Sequence, residues 1–414
     1  MRSGKRRGPE FSGHGNSSLG IIALVPDYWS GVVTLRHQVL QRLAKYHRVV
    51  WVEPAGDWRE FLRPSSPRFL ARDRWSEPTP SLAVLNTGCL RPQLHRPAWL
   101  GAASFRARLT AARRRLIAQG ATRIALYIWR DEFAEALHHV DHDFSCYHID
   151  DEYSFSDKDL PNSPRELSLL RHVDQVIVHS PALLGKKGGI NRNTALIPNG
   201  VDFQLFSKPH EEPADMASIP RPRIGYAGVI KKQLDLDLLV RLAGARPQWS
   251  FVMVGPIGNV AGKERQLAAL RQMRNVHFLG GKPVERLPGY IQHFDVCLMC
   301  YEVNDYTRYI YPLKLHEYLA AGRPTVSSPI ELIHGFAHAV SIASDEAQWL
   351  AAIESGLAES DREGEAAQSR RAVARANDWN VLVKEIADLF ASPQSMTKGW
   401  PPQQLQEPAS FFQA

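Results

Sequence analysis

Lys314 and Glu317 stand three residues apart in the stretch Tyr311-Pro-Leu-Lys-Leu-His-Glu-Tyr-Leu-Ala-Ala-Gly322-Arg-Pro-Thr-Val326. On a helix that spacing places an ammonium and a carboxylate on one face. The ammonium suits a phosphate and the carboxylate suits sugar hydroxyls, both beside the partly positive end of a helix. The competing reading is an intrahelical ion pair on a solvated face. Pro312 fits a first helical position, Gly322 fits the C-terminal cap, and Pro324 blocks continuation. Apolar runs at 294–299 and 325–327 flank the helix. Its N-terminus is therefore expected at the carboxyl edge of a parallel sheet, where α/β proteins take their ligands.

Other segments carry chemistry of the same kind. Ile224-Gly-Tyr-Ala-Gly228 ends a predicted strand and Val229-Ile-Lys-Lys-Gln233 leads towards a helix near Leu234. Gly228 lets the backbone come close to a ligand, and Lys231 and Lys232 stand where a diphosphate meets a helix N-terminus. The segment lacks the dinucleotide GxGxxG spacing, so a nicotinamide cofactor is not expected. Asp150 and Asp151 follow another strand, where either can take a proton from an acceptor hydroxyl or cap a helix. Arg130 and Asp131 end the preceding strand in a similar place. Asn199-Gly200 reads as a tight turn with positive φ. Three DxD triplets begin at Asp141, Asp157 and Asp235. Such pairs can hold a divalent ion, yet capping and solvation explain them here, and no metal is expected. Cys297 and Cys300 lie in a predicted strand and point to opposite faces, which argues against a metal or redox role.

These residues need elements to hold them. At 414 residues the chain exceeds one ordinary hydrophobic core. A hydrophobic content of 44% with 22% charged residues is that of a soluble globular protein. No apolar run reaches the roughly 20 residues of a membrane span, and the first residues lack the apolar core of a signal peptide. Apolar runs at 19–25, 49–52, 82–85, 124–127, 144–147, 175–179 and 194–197 alternate with helical patterns such as 34–46 and 105–119. The alternation pauses over the polar, proline-containing stretch 207–222 and restarts with runs at 223–227, 251–254, 276–279, 296–299, 325–327 and 340–342.

Such a pattern predicts an α/β chain of two doubly wound halves facing a cleft. The expected divisions are an arm at 1–17, a first half at 18–206, a linker at 207–222, a second half at 223–378, a helix at 379–391 and a tail at 392–414. The net charge of +7 is concentrated. Arg106, Arg108, Arg113, Arg114 and Arg115 share one predicted helix, and Arg68, Arg72 and Arg74 alternate with Phe69, Leu70 and Trp75. Both segments suit an anionic membrane surface or acceptor, with a solvated helix as the alternative. Four cysteines give no disulfide framework, so a cytosolic setting is expected.

Taken in order, these segments resemble the GT-B glycosyltransferases of the large cell-envelope group, closest to the teichuronic-acid type branch. The resemblance rests on Tyr147 to Asp151, Gly225-Tyr-Ala-Gly228, Leu234-Asp-Leu-Asp-Leu-Leu239, Asn275-Val-His-Phe-Leu-Gly280 and Pro312 to Gly322. It implies transfer of a sugar from a nucleotide diphosphate sugar, bound by the nucleotide-sugar domain at 223–378, to a hydroxyl of a glycan or lipid-linked acceptor held by the acceptor domain at 18–206, with retention of configuration; no cofactor is expected. Glu317 would bind ribose hydroxyls and Lys314 the diphosphate, with Gly228, Lys231, Lys232, Arg308 and Leu315 completing the donor site. Asp150, Asp151 and Arg130 are the catalytic candidates, and Asn199-Gly200 forms an interdomain turn. Two departures stand out. Tyr309 occupies the place of a second family Glu, while Val229 and Leu234 replace a basic pair. The resemblance further implies a cytoplasmic protein at the inner face of the membrane, with no nucleic-acid partner. A GT-B nucleotide-sugar epimerase and an inactive scaffold of the same fold are the rival readings.

Overall fold

The computed structural model describes residues 18–31, 33–55, 73–87, 98–152, 163–359 and 363–391. The stretch holding Arg68, Phe69, Leu70 and Arg72, the triplet at Asp157, the arm at 1–17 and the tail at 392–414 lie outside them. The chain divides into two compact units, Met1–Tyr147 and His148–Ala414.

The first unit is built on β1 (Leu19–Leu24), β2 (Arg48–Val52), β3 (Arg74–Thr79), β4 (Leu82–Asn86), β5 (Arg123–Ile128) and β6 (Phe144–Ile149), which ends just past the boundary. These run in the order β3-β4-β2-β1-β5-β6. All neighbours pair in parallel except β3 with β4. β1 is buried along its whole length, as expected for a strand covered by helices on both faces. The Ala98–Ala118 helix corrects one expectation about charge. Arg108 is buried and donates to the Glu53 carbonyl, Arg115 pairs with Glu77, and Arg113 donates to the Asp141 carbonyl. Only Arg106 and Arg114 of the five are exposed, because the helix turns the others onto neighbouring elements. Trp99, at the start of the helix, is 71% exposed.

The second unit contains the parallel pair β7 (Gln175–Val178) and β8 (Thr194–Leu196). Its main sheet comprises β9 (Arg223–Ala227), β10 (Ser250–Val254), β11 (Val276–Gly280), β12 (Val296–Met299), β13 (Thr325–Ser327) and β14 (Ser341–Ile342). The order is β11-β10-β9-β12-β13-β14, parallel throughout. The strand order reverses between β9 and β12, and such switch points open crevices at the carboxyl ends of strands. The stretch 207–222, linker-like in composition, packs closely: Met216 and Ile219 join the core around this sheet, and Arg223 pairs with Glu212.

Gly200 departs from the expected turn. It is absent from the positive-φ glycines among the described residues. Its need is steric: an added Cβ would lie 2.7 Å from the Asn377 carbonyl and 3.0 Å from the Trp379 ring. Val201 exchanges backbone hydrogen bonds with Asn377 and Trp379. The turn is thus a seat for the Trp379–Ala391 helix.

Candidate active site

Gly228 follows β9 and Gly255 follows β10, with φ of +146° and +150°. These are conformations that favour glycine. A Cβ on Gly255 would meet the Gly228 carbonyl at 2.0 Å, and one on Gly228 would meet the Lys314 ammonium at 3.2 Å. Two bare backbones and one cation therefore meet at the sheet edge.

The Leu313–Ala320 helix brings the cation there. Pro312 is its N-cap, one position earlier than expected, and Gly322 with φ +71° follows the Ala321 cap. No side chain caps its N-terminus. Tyr318 fixes the helix to β9, since the Ala227 amide donates to its hydroxyl at 2.8 Å. Tyr311 Oη and His316 Nε2 lie 2.8 Å apart in a buried contact, and burial pushes the His316 imidazole down to about 3. That histidine is neutral at physiological pH. Leu315 is fully buried in the core and its amide donates to the Pro312 carbonyl. It is one of the residues expected at the donor site, and its side chain packs inward.

Lys314 and Glu317 do not form the solvated ion pair that their spacing allows. The Lys314 ammonium donates to Tyr301 Oη at 2.8 Å. Burial alone would lower its pKa, but the surrounding Tyr226, Tyr301 and Glu317 outweigh burial and raise it. Glu317 is half-buried and has no hydrogen-bond or ion-pair partner among the described residues. Burial pushes its carboxyl up to about 7, against the opposing pull of Lys314. An unpartnered carboxylate of this kind is costly.

The segment 301–311, between β12 and this helix, carries four tyrosines. Tyr306 Oη donates to Asp151 Oδ2 at 3.0 Å. Ser180 Oγ donates to the Tyr309 carbonyl at 3.0 Å, and Asn199 Nδ2 to the Tyr311 carbonyl at 2.8 Å. Glu302 pairs with Lys263. The expected residues Asp151 and Asn199 are therefore drawn to one segment. Burial raises the Asp151 carboxyl, opposed by His179 and by the Tyr306 hydrogen bond. Lys231 is lowered, first by partial burial and then by the Lys314 charge, with Asp151 acting in the other direction. Asp151, Lys231 and Lys314 thus share one electrostatic neighbourhood.

Sequence reasoning missed two participants. His179 is buried at the end of β7, with Nδ1 3.0 Å from the Ile149 carbonyl, and burial lowers its pKa against the pull of Asp150 and Asp151. Lys186 lies 3.2 Å from Glu152 Oε2 and 4.9 Å from the centre of the Tyr309 ring, where the resemblance led us to expect a carboxylate. Its neighbour Lys187 is fully buried between Glu152 and Glu166. Arg308 and Lys232 are exposed, the former with its guanidinium 6.0 Å from the Tyr309 ring centre. Arg130 belongs to the first unit, at the N-cap of a short 3-10 turn after β5. Of the acidic triplets, Asp235 caps the Leu236–Ala245 helix and Asp143 accepts from the Ile124 amide at 2.7 Å. Cys297 and Cys300 are buried and their thiols are pushed up by burial.

Solved trehalose-6-phosphate synthases share this architecture. The E. coli protein bound with UDP-2-fluoro glucose is 14% identical, with a TM-score of 0.63 over 90% of this chain and 99% of that one. The Burkholderia vietnamiensis protein gives 14% and 0.64 over 91% and 99%. At such identity the likeness shows the fold, which is GT-B. Residues 221–359 match the family model described as Glycosyl transferases group 1. The chain has the GT-B fold, and the family model matches one segment of it. The matched segment contains Gly228, Lys231, Lys314 and Glu317. The chain is also 28% identical over 231 residues to TuaH of Bacillus subtilis (strain 168), a protein named for teichuronic acid biosynthesis. That match spans 53% of this chain and 57% of the relative, little more than half of either.

Proposed function

We propose that this protein transfers a sugar from a nucleotide diphosphate sugar to a hydroxyl of a cell-envelope glycan or lipid-linked acceptor. The observation that carries the reading is the unpartnered Glu317 carboxylate beside a protonated Lys314 at the Gly228 backbone. A ribose diol gives Glu317 the donors it lacks. The diphosphate lies against Lys314, the uncapped helix N-terminus and Lys231, and these stabilise the negative charge that grows on the leaving group. Those cations support a metal-independent reaction. We further propose retention, with the leaving diphosphate helping to activate the acceptor, and Asp151 or Asp150 placed towards the acceptor hydroxyl.

The setting we propose is the cytoplasmic face of the membrane. No helix among the described residues is long and apolar enough to cross it. Exposed Trp99, Leu100, Arg106 and Arg114 support a peripheral contact with anionic lipid.

The test is a thermal-shift screen of nucleotide sugars followed by turnover of the stabilising donor with envelope-derived acceptors. Release of nucleoside diphosphate and a glycosylated product are expected, and Glu317→Ala should abolish most of that turnover. An epimerised free nucleotide sugar in the absence of acceptor, or tight binding without any chemistry, would replace this reading with one of its two rivals. Unchanged turnover in Glu317→Ala would remove the site assignment.

A further inference from the structure

The Lys314 ammonium is caged by two phenols. It lies 5.2 Å from the centre of the Tyr226 ring and 5.3 Å from that of Tyr301, and it donates to Tyr301 Oη. Both tyrosines are buried and rigidly mounted. Tyr226 is part of β9 and donates its hydroxyl to the Val229 carbonyl at 3.0 Å. Tyr301 follows β12, bonds through its amide to the Met299 carbonyl and forms a backbone bridge with Leu234.

Lysine has a long flexible stem and three ammonium protons. A carboxylate partner would fix the stem but cancel the charge. Glu317, three residues further along the helix, makes no ion pair with it. Neutral phenols hold the ammonium through their oxygens while leaving its charge intact. One proton goes to Tyr301 and the Tyr226 hydroxyl also draws on the ammonium, which leaves at least one for a phosphate oxygen.

We propose that Tyr301 is a positioning residue for the donor diphosphate: it fixes the Lys314 ammonium in place, with the Tyr226 ring as the second wall, and itself acts only through Lys314. This rests on the donor-site reading above. The sequence spacing gives no hint of it, because Tyr301 is 13 residues from Lys314 and neutral.

Uridine, guanosine, adenosine and thymidine diphosphates are titrated into the full chain by calorimetry. The diphosphate that binds is then compared with its parent nucleoside, followed by ligand-observed NMR. Tyr301→Phe, which keeps the ring and loses the hydrogen bond, should weaken the diphosphate about fivefold, in line with a charge-assisted hydrogen bond, and leave the nucleoside unchanged. Tyr301→Leu, which also removes the ring, should weaken the diphosphate further. Lys314→Met should exceed both. If Lys314→Met weakens the diphosphate and Tyr301→Phe does not, the positioning role is wrong and the donor site stands. Equal losses for diphosphate and nucleoside in Tyr301→Phe would reduce Tyr301 to a packing residue. No binding by the native chain, or no effect of Lys314→Met, would overturn the donor site and this inference together.

Discussion

Glu317→Gln should make the protein more stable while it damages the proposed donor site. The carboxyl is raised from 4.5 to about 7, which corresponds to roughly 3 kcal/mol separating its protonated and ionised forms. Partial solvent access at a half-buried position reduces this to about 2 kcal/mol. The sign follows from proton binding. The unfolded chain ionises this group near its ordinary value, while the folded chain retains the proton until about pH 7. Between those limits the native protein loses stability with rising pH relative to a variant that cannot ionise. The advantage of Glu317→Gln should therefore be near zero at pH 4.5, grow as pH rises to 7 and level off above. A change of this size moves Tm by roughly 5 °C in a unit of a few hundred residues. Differential scanning calorimetry of both proteins at pH 5 and pH 8, without ligand, measures it. An equal difference at the two values, or a native protein that is the more stable at pH 8, would refute the claim that an uncompensated charge is stored at Glu317.

Tyr306→Phe removes a hydrogen bond that lowers the Asp151 carboxyl, so that carboxyl should rise further. The acid limb of the pH–rate profile should shift to higher pH, and an unmoved limb would show that Asp151 need not be ionised. Trp99→Ser with Arg106→Glu and Arg114→Glu should abolish cosedimentation with phosphatidylglycerol vesicles while leaving the thermal midpoint within about 2 °C, since exposed substitutions cost little. Retained cosedimentation would place any membrane contact elsewhere.

Strands were readable wherever burial on both faces demanded continuous apolar runs, as in β2 and β12. β3 was not readable, because Arg74–Thr79 is largely exposed, contains Pro78 and is defined only by its pairing with β4. The Leu313–Ala320 helix could be placed within a residue of its observed ends because Pro312 and Gly322 act locally on backbone angles. The same locality explains what the sequence concealed. Tyr306 and Asp151 are 155 residues apart, and Ser180 and Tyr309 are 129 apart. Nothing in either neighbourhood marks the partner. Lys186 and Lys187 look alike in sequence, yet one is partly exposed and the other fully buried between two glutamates. Side-chain direction on a short helix decided between them. Gly200 shows the limit of turn chemistry: the residue type was informative, but the constraint came from Trp379 and Asn377, far along the chain.

The tyrosine-bearing segment 301–311 has a consequence for how this chain can vary. Surface connections ordinarily tolerate insertions and deletions, because their cost is only slowly growing closure entropy. Here Glu302, Tyr306, Tyr309 and Tyr311 are each tied to a different partner: Lys263, Asp151, Ser180 and Asn199. A single inserted residue would put several of these ties out of step at once. The segment behaves as a ruler whose length is fixed by its graduations, so relatives that retain these ties should vary it by substitution and leave its residue count alone.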